Sequence, residues 1–328
     1  MIRGHGDDAY RYEGVKICSD FSSNICARAG HAELTAHLSR TMAGLISHYP
    51  EPEAWSLEQA IAAHHQIAPD CVIVTNGATE AIYLVAQTFR MEPTICTPTF
   101  REYEDACQMF PPVDHGHRAL WCCSPNNPDG RAVAPACLDS LPAAPYDLYV
   151  IDCSYAAYTH SECFTPRLAV GRDDMVLVCS FTKTYAVPGL RLGYIVAAPR
   201  LAALLRRHLR PWSVSALAVE AGKYLLAHQE LRVCPDFQEA ARLRTLLNAI
   251  PGITVSPTDT TFMLCHIEGH SAAELKDWLL RRHGLLIRDA SNFTGLLPGH
   301  FRVASQSPGE NDALVSAVSS FCHSAGRP

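Results

Sequence analysis

The chain has 328 residues, 48% apolar and 18% charged, with a net charge of −6. That length suffices for one large domain with a sizeable core and a smaller companion. The charge falls in no long run of one sign, which excludes the footprint of a nucleic-acid binder and points to a soluble protein with a small-molecule partner.

The opening residues, MIRGHGDDAYRYEGVK, hold no apolar signal-type core. No segment approaches roughly 18 uninterrupted apolar residues, so neither secretion nor a membrane span is expected and the cytoplasm is the expected location. The 14 cysteines are scattered without a Cys-x-x-Cys spacing. They are expected to be mostly small core hydrophobes in a reducing compartment, with no disulfide framework and no metal site.

Apolar runs of strand length recur along the chain: CVIV at 71, TIC at 94, ALWCC at 119, DLYVI at 147, MVLVC at 175 and GYIVA at 193. The first five each lead into a polar or Gly/Pro-rich stretch: TNGATEA, TPTFREY, SPNNPDG, DCSY and SFTKTY. Helical patterning fills several intervals, as in TEAIYLVAQTF and from Pro199 to His208. Such alternation predicts an α/β fold with a mostly parallel sheet covered by helices. In that architecture ligands sit beyond the carboxyl ends of the strands, so the polar stretches converge on one crevice. After about residue 199 the pattern changes to FQEAARLRTLLNAI, PGITVSPTDTTFMLCHI, SAAELKDWLLRRHG, LLIRDA and HFRVA. These predict a smaller α+β unit, joined to the first by a continuous helix.

The convergent residues suggest a chemistry. Lys183, Asp152, Tyr155 and Asn127 all follow strand ends. A lysine amine can hold an aromatic aldehyde as a Schiff base while a carboxylate keeps a pyridine nitrogen protonated and a phenol and an amide bind a ring hydroxyl. Gly77, Ala78 and Thr79 open a helix, where free N–H groups and the helix dipole favour a phosphate. Ser180 and Arg191 are placed to complete that cage with a hydroxyl and a guanidinium.

The blocks NGATEAI, SPNNPDG, DCSY and SFTKTYAVPGLRLGY, in this order, resemble the fold-type I pyridoxal-phosphate enzymes of the aminotransferase class I/II superfamily, and the resemblance covers nearly the whole chain. HG at 5, DFSSNI at 20, YPEPE at 49, LLIRDASNFTGL and FRVA are similar to threonine-phosphate decarboxylases, close relatives of histidinol-phosphate aminotransferases. The resemblance implies fold type I, with an arm over residues 1–24, a large cofactor domain over 25–225 and a small C-terminal domain over 226–328. It implies pyridoxal 5′-phosphate as cofactor, with Lys183 as the Schiff-base lysine, Asp152 on the pyridine nitrogen, Tyr155 and Asn127 on the ring oxygen, and Tyr103 stacked on the ring. Gly77, Ala78, Thr79, Ser180 and Arg191 would hold the cofactor phosphate, joined by Tyr49 from the neighbouring subunit of a homodimer. Arg302 would bind the substrate carboxylate, Asn24 would lie over the substrate, and His5 and Arg288 are candidates for its phosphate.

The implied reaction is decarboxylation of O-phospho-L-threonine to (R)-1-amino-2-propanol phosphate for cobalamin biosynthesis. The alternative is a histidinol-phosphate-type aminotransferase using 2-oxoglutarate and glutamate, and a third reading is a non-catalytic regulator on the same fold. The chain departs from the family pattern at Cys153, where an acidic residue often follows the aspartate, at NICA in place of NINP, and at Asp7 in place of a second glycine. With these departures, O-phosphoserine stays open as a substrate.

Overall fold

The computed structural model describes residues 8–26, 30–113, 116–139 and 146–325. The strands are β1 (Ser19–Asp20), β2 (Val72–Thr75), β3 (Glu92–Ile95), β4 (Arg118–Cys123), β5 (Leu148–Asp152), β6 (Met175–Ser180), β7 (Gly193–Ala197), β8 (Ile253–Val255), β9 (Phe262–Ile267), β10 (Leu285–Leu286), β11 (Arg288–Asp289) and β12 (His300–Ala304). The helices are α1 (Ala32–Leu45), α2 (Trp55–His65), α3 (Gly77–Phe89), α4 (Glu102–Met109), α5 (Ala136–Asp139), α6 (Pro166–Val170), α7 (Phe181–Thr184), α8 (Pro199–Arg206), α9 (Ala216–Ala227), α10 (Phe237–Asn248), α11 (Ala272–His283) and α12 (Pro308–Ala325).

A six-stranded sheet has the order β2-β7-β6-β5-β4-β3. Strands β3 to β6 run parallel, while β7 is antiparallel to both β6 and β2. Every residue of β5 and β6 is buried, because helices and their loops cover both faces. On one face Val150, Val176 and Ile195 pack with Ile82 and Val85 of α3. On the other, Ile151, Met175 and Leu177 pack with Phe164. The later part of the chain forms an antiparallel sheet, β11-β12-β9-β8, whose core joins Met263 and Val303 to Leu243, Leu275, Leu279 and Leu314 of the adjoining helices. Among the cysteines, Cys71, Cys122, Cys123, Cys153, Cys179 and Cys265 are buried, whereas Cys18, Cys96, Cys137 and Cys234 are exposed, so only part of the set is core filler.

The continuous helix expected after residue 199 is instead three helices. The stretch between α8 and α9 contains Pro211, which cannot donate the next helical hydrogen bond, and Trp212 with a left-handed φ of 60°. Ser215 then caps α9 by accepting from the Ala218 N–H, and Asp236 caps α10 by accepting from the Glu239 N–H.

The N-terminal segment docks on the smaller sheet's side. Strand β1 pairs in parallel with β10, Ser19 opposite Leu285. Gly284 ends α11 at φ +67°, and a Cβ there would stand 2.7 Å from the Lys16 carbonyl, so only glycine admits the passing chain. Phe21 is fully buried; its N–H donates to the Leu286 carbonyl at 2.8 Å and its carbonyl accepts from the Ala304 N–H at 2.9 Å.

At the end of α2, His65 Nε2 lies 2.9 Å from the Tyr194 hydroxyl. Burial, reinforced by the charges of His64 and Arg232, lowers its pKa to about 4. The unfolded chain takes up this proton near pH 6.5, so the contribution is fully present above about that pH and is lost as pH falls toward 4. Calorimetric melting of the parent is expected to drop by a few degrees more between pH 7 and pH 5 than that of His65→Gln. Equal drops would refute the role of this histidine.

Candidate active site

The carboxyl ends of the parallel strands gather the polar residues around a cavity of about 300 Å³. Gly77 opens α3 at φ +82°, and a Cβ there would stand 2.6 Å from Arg191 Nη2. Absence of a side chain at Gly77 therefore lets the guanidinium lie against the first turn of α3. Gly193 is equally constrained, since a Cβ there would meet the Ala78 nitrogen at 2.6 Å and the Cys179 carbonyl at 2.9 Å. Its smoothness brings β7 close enough to set the α3 N-terminus beside the end of β6. The cavity wall there is Ala78, Thr79, Ser180, Thr182 and Arg191, a set of hydroxyl and guanidinium donors at a helix N-terminus suited to a phosphate.

Asp152 closes β5 and is 4% exposed. Its Oδ1 accepts from the Ser154 N–H at 2.8 Å and its Oδ2 from the Tyr103 hydroxyl at 2.8 Å. Burial pushes its carboxyl above the ordinary range, and the hydrogen bonds from Ser154 and Tyr103 pull the other way. A cationic N–H partner would favour its ionised form. Burial likewise raises the Tyr155 phenol to about 12, against the opposing charge of Arg302 and a hydrogen bond from Asn24. Lys183 lies on the short helix α7, directly after β6, and its Nζ stands 5.5 Å from the centre of the Tyr155 ring.

Residues 22–26 run over this cavity as a strap. Lys183 Nζ donates to the Ser23 carbonyl at 2.7 Å. Arg302 donates to the Ser22 carbonyl through Nη2 and to Asn127 Oδ1 through Nη1. Asn24 adopts a left-handed φ of 51°, donates to the Tyr155 hydroxyl at 3.5 Å and is 1% exposed. Its Oδ1 and Arg302 Nε have no hydrogen-bond partner among the described residues. Arg288 on β11 stands directly opposite Arg302 on β12. The two are 5% and 3% exposed. Burial and then the Arg302 charge lower the Arg288 pKa to about 10, and burial lowers that of Arg302. Arg288 is steered by Asn292 Oδ1 at 2.7 Å and by the Asp289 carbonyl.

Of the sequence candidates, Ala78, Thr79, Tyr103, Asn127, Asp152, Tyr155, Ser180, Lys183, Arg191 and Arg302 line the one cavity. Gly77 abuts it through Arg191, and Asn24 faces a neighbouring cavity of about 170 Å³. Tyr49 lies away from it, 88% exposed, its ring 5.8 Å from that of Trp212. His5 falls outside the described residues. Tyr103 also does something the sequence reading omitted: its hydroxyl holds Asp152, and its ring packs against Trp121 at 5.9 Å. Thr182, Ser154, Gly193 and the Ser22 and Ser23 carbonyls were missed. Thr182 sits within SFTK and could have been found there, whereas a carbonyl has no sequence signature. His266 and His270 are four apart in sequence but diverge, to His300 at 4.7 Å and Phe321 at 5.1 Å.

Residues 110–318 match the family model for aminotransferase class I and II. The threonine-phosphate decarboxylase of Salmonella typhimurium is 31% identical over 334 residues, covering 91% of this chain and 90% of that protein. A histidinol-phosphate aminotransferase of Symbiobacterium thermophilum is 29% identical over 311 residues, covering 85% and 84% respectively. Among solved structures, L-threonine-O-3-phosphate decarboxylase from Porphyromonas gingivalis superposes with TM-score 0.87 at 36% identity, over 92% of this chain and 99% of that one.

The fold and the residues at the strand ends thus define a pyridoxal-phosphate-dependent enzyme. The chain belongs to the class I and II aminotransferase family, and its cofactor is pyridoxal 5′-phosphate. The donor set fits that group: donors at the α3 N-terminus for a phosphate, a buried carboxyl for a ring nitrogen, a phenol and an amide for a ring oxygen, and one lysine for an aldehyde. No helix among the described residues is long and apolar enough to cross a membrane.

Proposed function

We propose that the protein decarboxylates O-phospho-L-threonine to (R)-1-amino-2-propanol phosphate, the amine used in cobalamin assembly. The observation that carries this reading is the cross-strand pair Arg288 and Arg302, both buried and side by side. Two adjacent buried cations repel, and Arg302 donates to two neutral acceptors, Asn127 Oδ1 and the Ser22 carbonyl. A ligand with two anionic groups relieves that repulsion, and O-phosphothreonine carries a carboxylate and a phosphate. The named decarboxylases at 31% and 36% identity support the same reading.

When bound, the cofactor supplies an electrophilic aldehyde and a cationic ring that takes up the electron pair released at the substrate's α carbon. Asp152 would hold the ring nitrogen, Tyr155 and Asn127 the ring oxygen, and Tyr103 a ring face. Gly77, Ala78, Thr79, Ser180 and Arg191 would hold its phosphate. Lys183, held at the cavity by the Ser23 carbonyl, would be the residue that holds the aldehyde, and its amine would carry the proton for the α carbon. Arg302 takes the substrate carboxylate and Arg288 the phosphate. Anchored at both ends, the substrate has a fixed tilt, and that tilt selects which bond at the α carbon breaks. The strap of residues 22–26, with Asn24 over the substrate, excludes water. In this reading residues 25–225 form the cofactor unit, 226–328 the small unit and 1–24 the arm. Ile46, Tyr49 and Trp212, 69%, 88% and 53% exposed, would be covered by a second copy, with Tyr49 reaching the partner's cofactor phosphate.

The histidinol-phosphate aminotransferase at 29% identity supports a second reading, an aminotransferase. The two part on one experiment. Holoenzyme given O-phospho-L-threonine without any keto acid is expected to release carbon dioxide and the aminopropanol phosphate in equal amounts. Turnover that requires 2-oxoglutarate, with histidinol phosphate as donor, would establish the aminotransferase instead.

A further inference from the structure

Asp8 and Lys276 form an ion pair out of contact with bulk water. Lys276 Nζ lies 2.8 and 2.6 Å from the two carboxylate oxygens of Asp8, and the side chains are 8% and 9% exposed for lysine and aspartate. Such pairs contribute little net stability, because desolvation offsets the attraction. Their position suggests another reason for the pairing. Lys276 lies on α11, which packs against β11, the strand of Arg288. The segment that begins at Asp8 continues into β1, which pairs with β10 directly before β11, and the charges of Asp8 and Arg11 bear on the Arg288 guanidinium. A carboxylate free at this place would compete for Arg288 and repel an incoming phosphate.

We propose that Lys276 is a specificity-determining residue: by engaging both oxygens of Asp8 it lets the N-terminal segment lie beside Arg288 without setting a bare negative charge against the phosphate of the substrate. The inference rests on the reading that Arg288 receives that phosphate. Lys276 touches no reacting atom and acts through Asp8.

Lys276→Met is expected to raise KM for O-phosphothreonine about tenfold with kcat within about twofold, since a like charge beside a phosphate weakens binding without touching the reacting atoms. Adding Asp8→Asn to that variant removes the offending charge and is expected to bring KM back to within about threefold of the parent. Lys276→Arg keeps the charge and should stay in the same range. If the double variant is as impaired as Lys276→Met, the pair is only a structural tie and the proposal is overturned. A second measurement uses inorganic phosphate alone as probe. Its upward shift of the holoenzyme's melting temperature should be lost in Lys276→Met and regained in the double variant, and equal shifts in all three overturn the proposal. Should the parent neither bind nor turn over O-phosphothreonine, the decarboxylase reading fails, while the phosphate measurement still decides the role of Lys276.

Discussion

Lys183→Ala is expected to lower turnover by at least about 10³-fold while leaving the fold intact, because it removes both the group that would bind the aldehyde and the group that would return the proton. Among the described residues it is the one lysine lining the cavity. The Nζ bond to the Ser23 carbonyl accounts for about 1 kcal/mol of stability that the variant should lose. Borohydride treatment of the parent holoenzyme should leave the cofactor covalently fixed at residue 183, read by mass spectrometry of the peptide, and the variant should show none. A variant retaining more than a tenth of the parent's turnover, or a parent peptide carrying no added mass, would sink the assignment.

The sequence carried the central sheet because parallel strands buried on both faces read as unbroken apolar runs, and β5 and β6 are buried at every residue. The turns after them were legible for the same reason: polar residues that follow a buried strand have one place to go. The direction of β7 was not legible, since GYIVA reads alike in either sense. Nor was the break between α8 and α9, where the helical pattern resumes after a proline and one left-handed residue. A covering N-terminal segment with Asn24 was expected from the resemblance, but the way it docks was not legible. Strand β1 is a two-residue parallel pairing across more than half the chain, and the groups that residues 22 and 23 after it offer to Arg302 and Lys183 are backbone carbonyls. Asp8 shows the same limit: its partner Lys276 stands 268 residues away, and an ion pair across that separation leaves no local sequence pattern.

Arg302→Lys is the second large effect, a fall in kcat/KM of about 10² to 10³, or roughly 3–4 kcal/mol, despite conservation of charge. The guanidinium reaches Asn127 Oδ1 and the Ser22 carbonyl with separate nitrogens, and its Nε is without a partner among the described residues. An ammonium is one point and cannot make the same fork, so either the strap or Asn127 loses its donor in a buried place. Because Asn127 also faces the cofactor cavity, the loss should appear in kcat as well as in KM. Arg288→Lys stands in contrast: it should weaken O-phosphothreonine chiefly through KM, since a group that holds the substrate phosphate binds away from the α carbon where the bond breaks. Steady-state kinetics of the two variants therefore separates their roles. Should Arg302→Lys raise KM alone and leave kcat at the parent value, the side chain adds binding only, and the idea that paired arginines set the tilt at the α carbon falls with it.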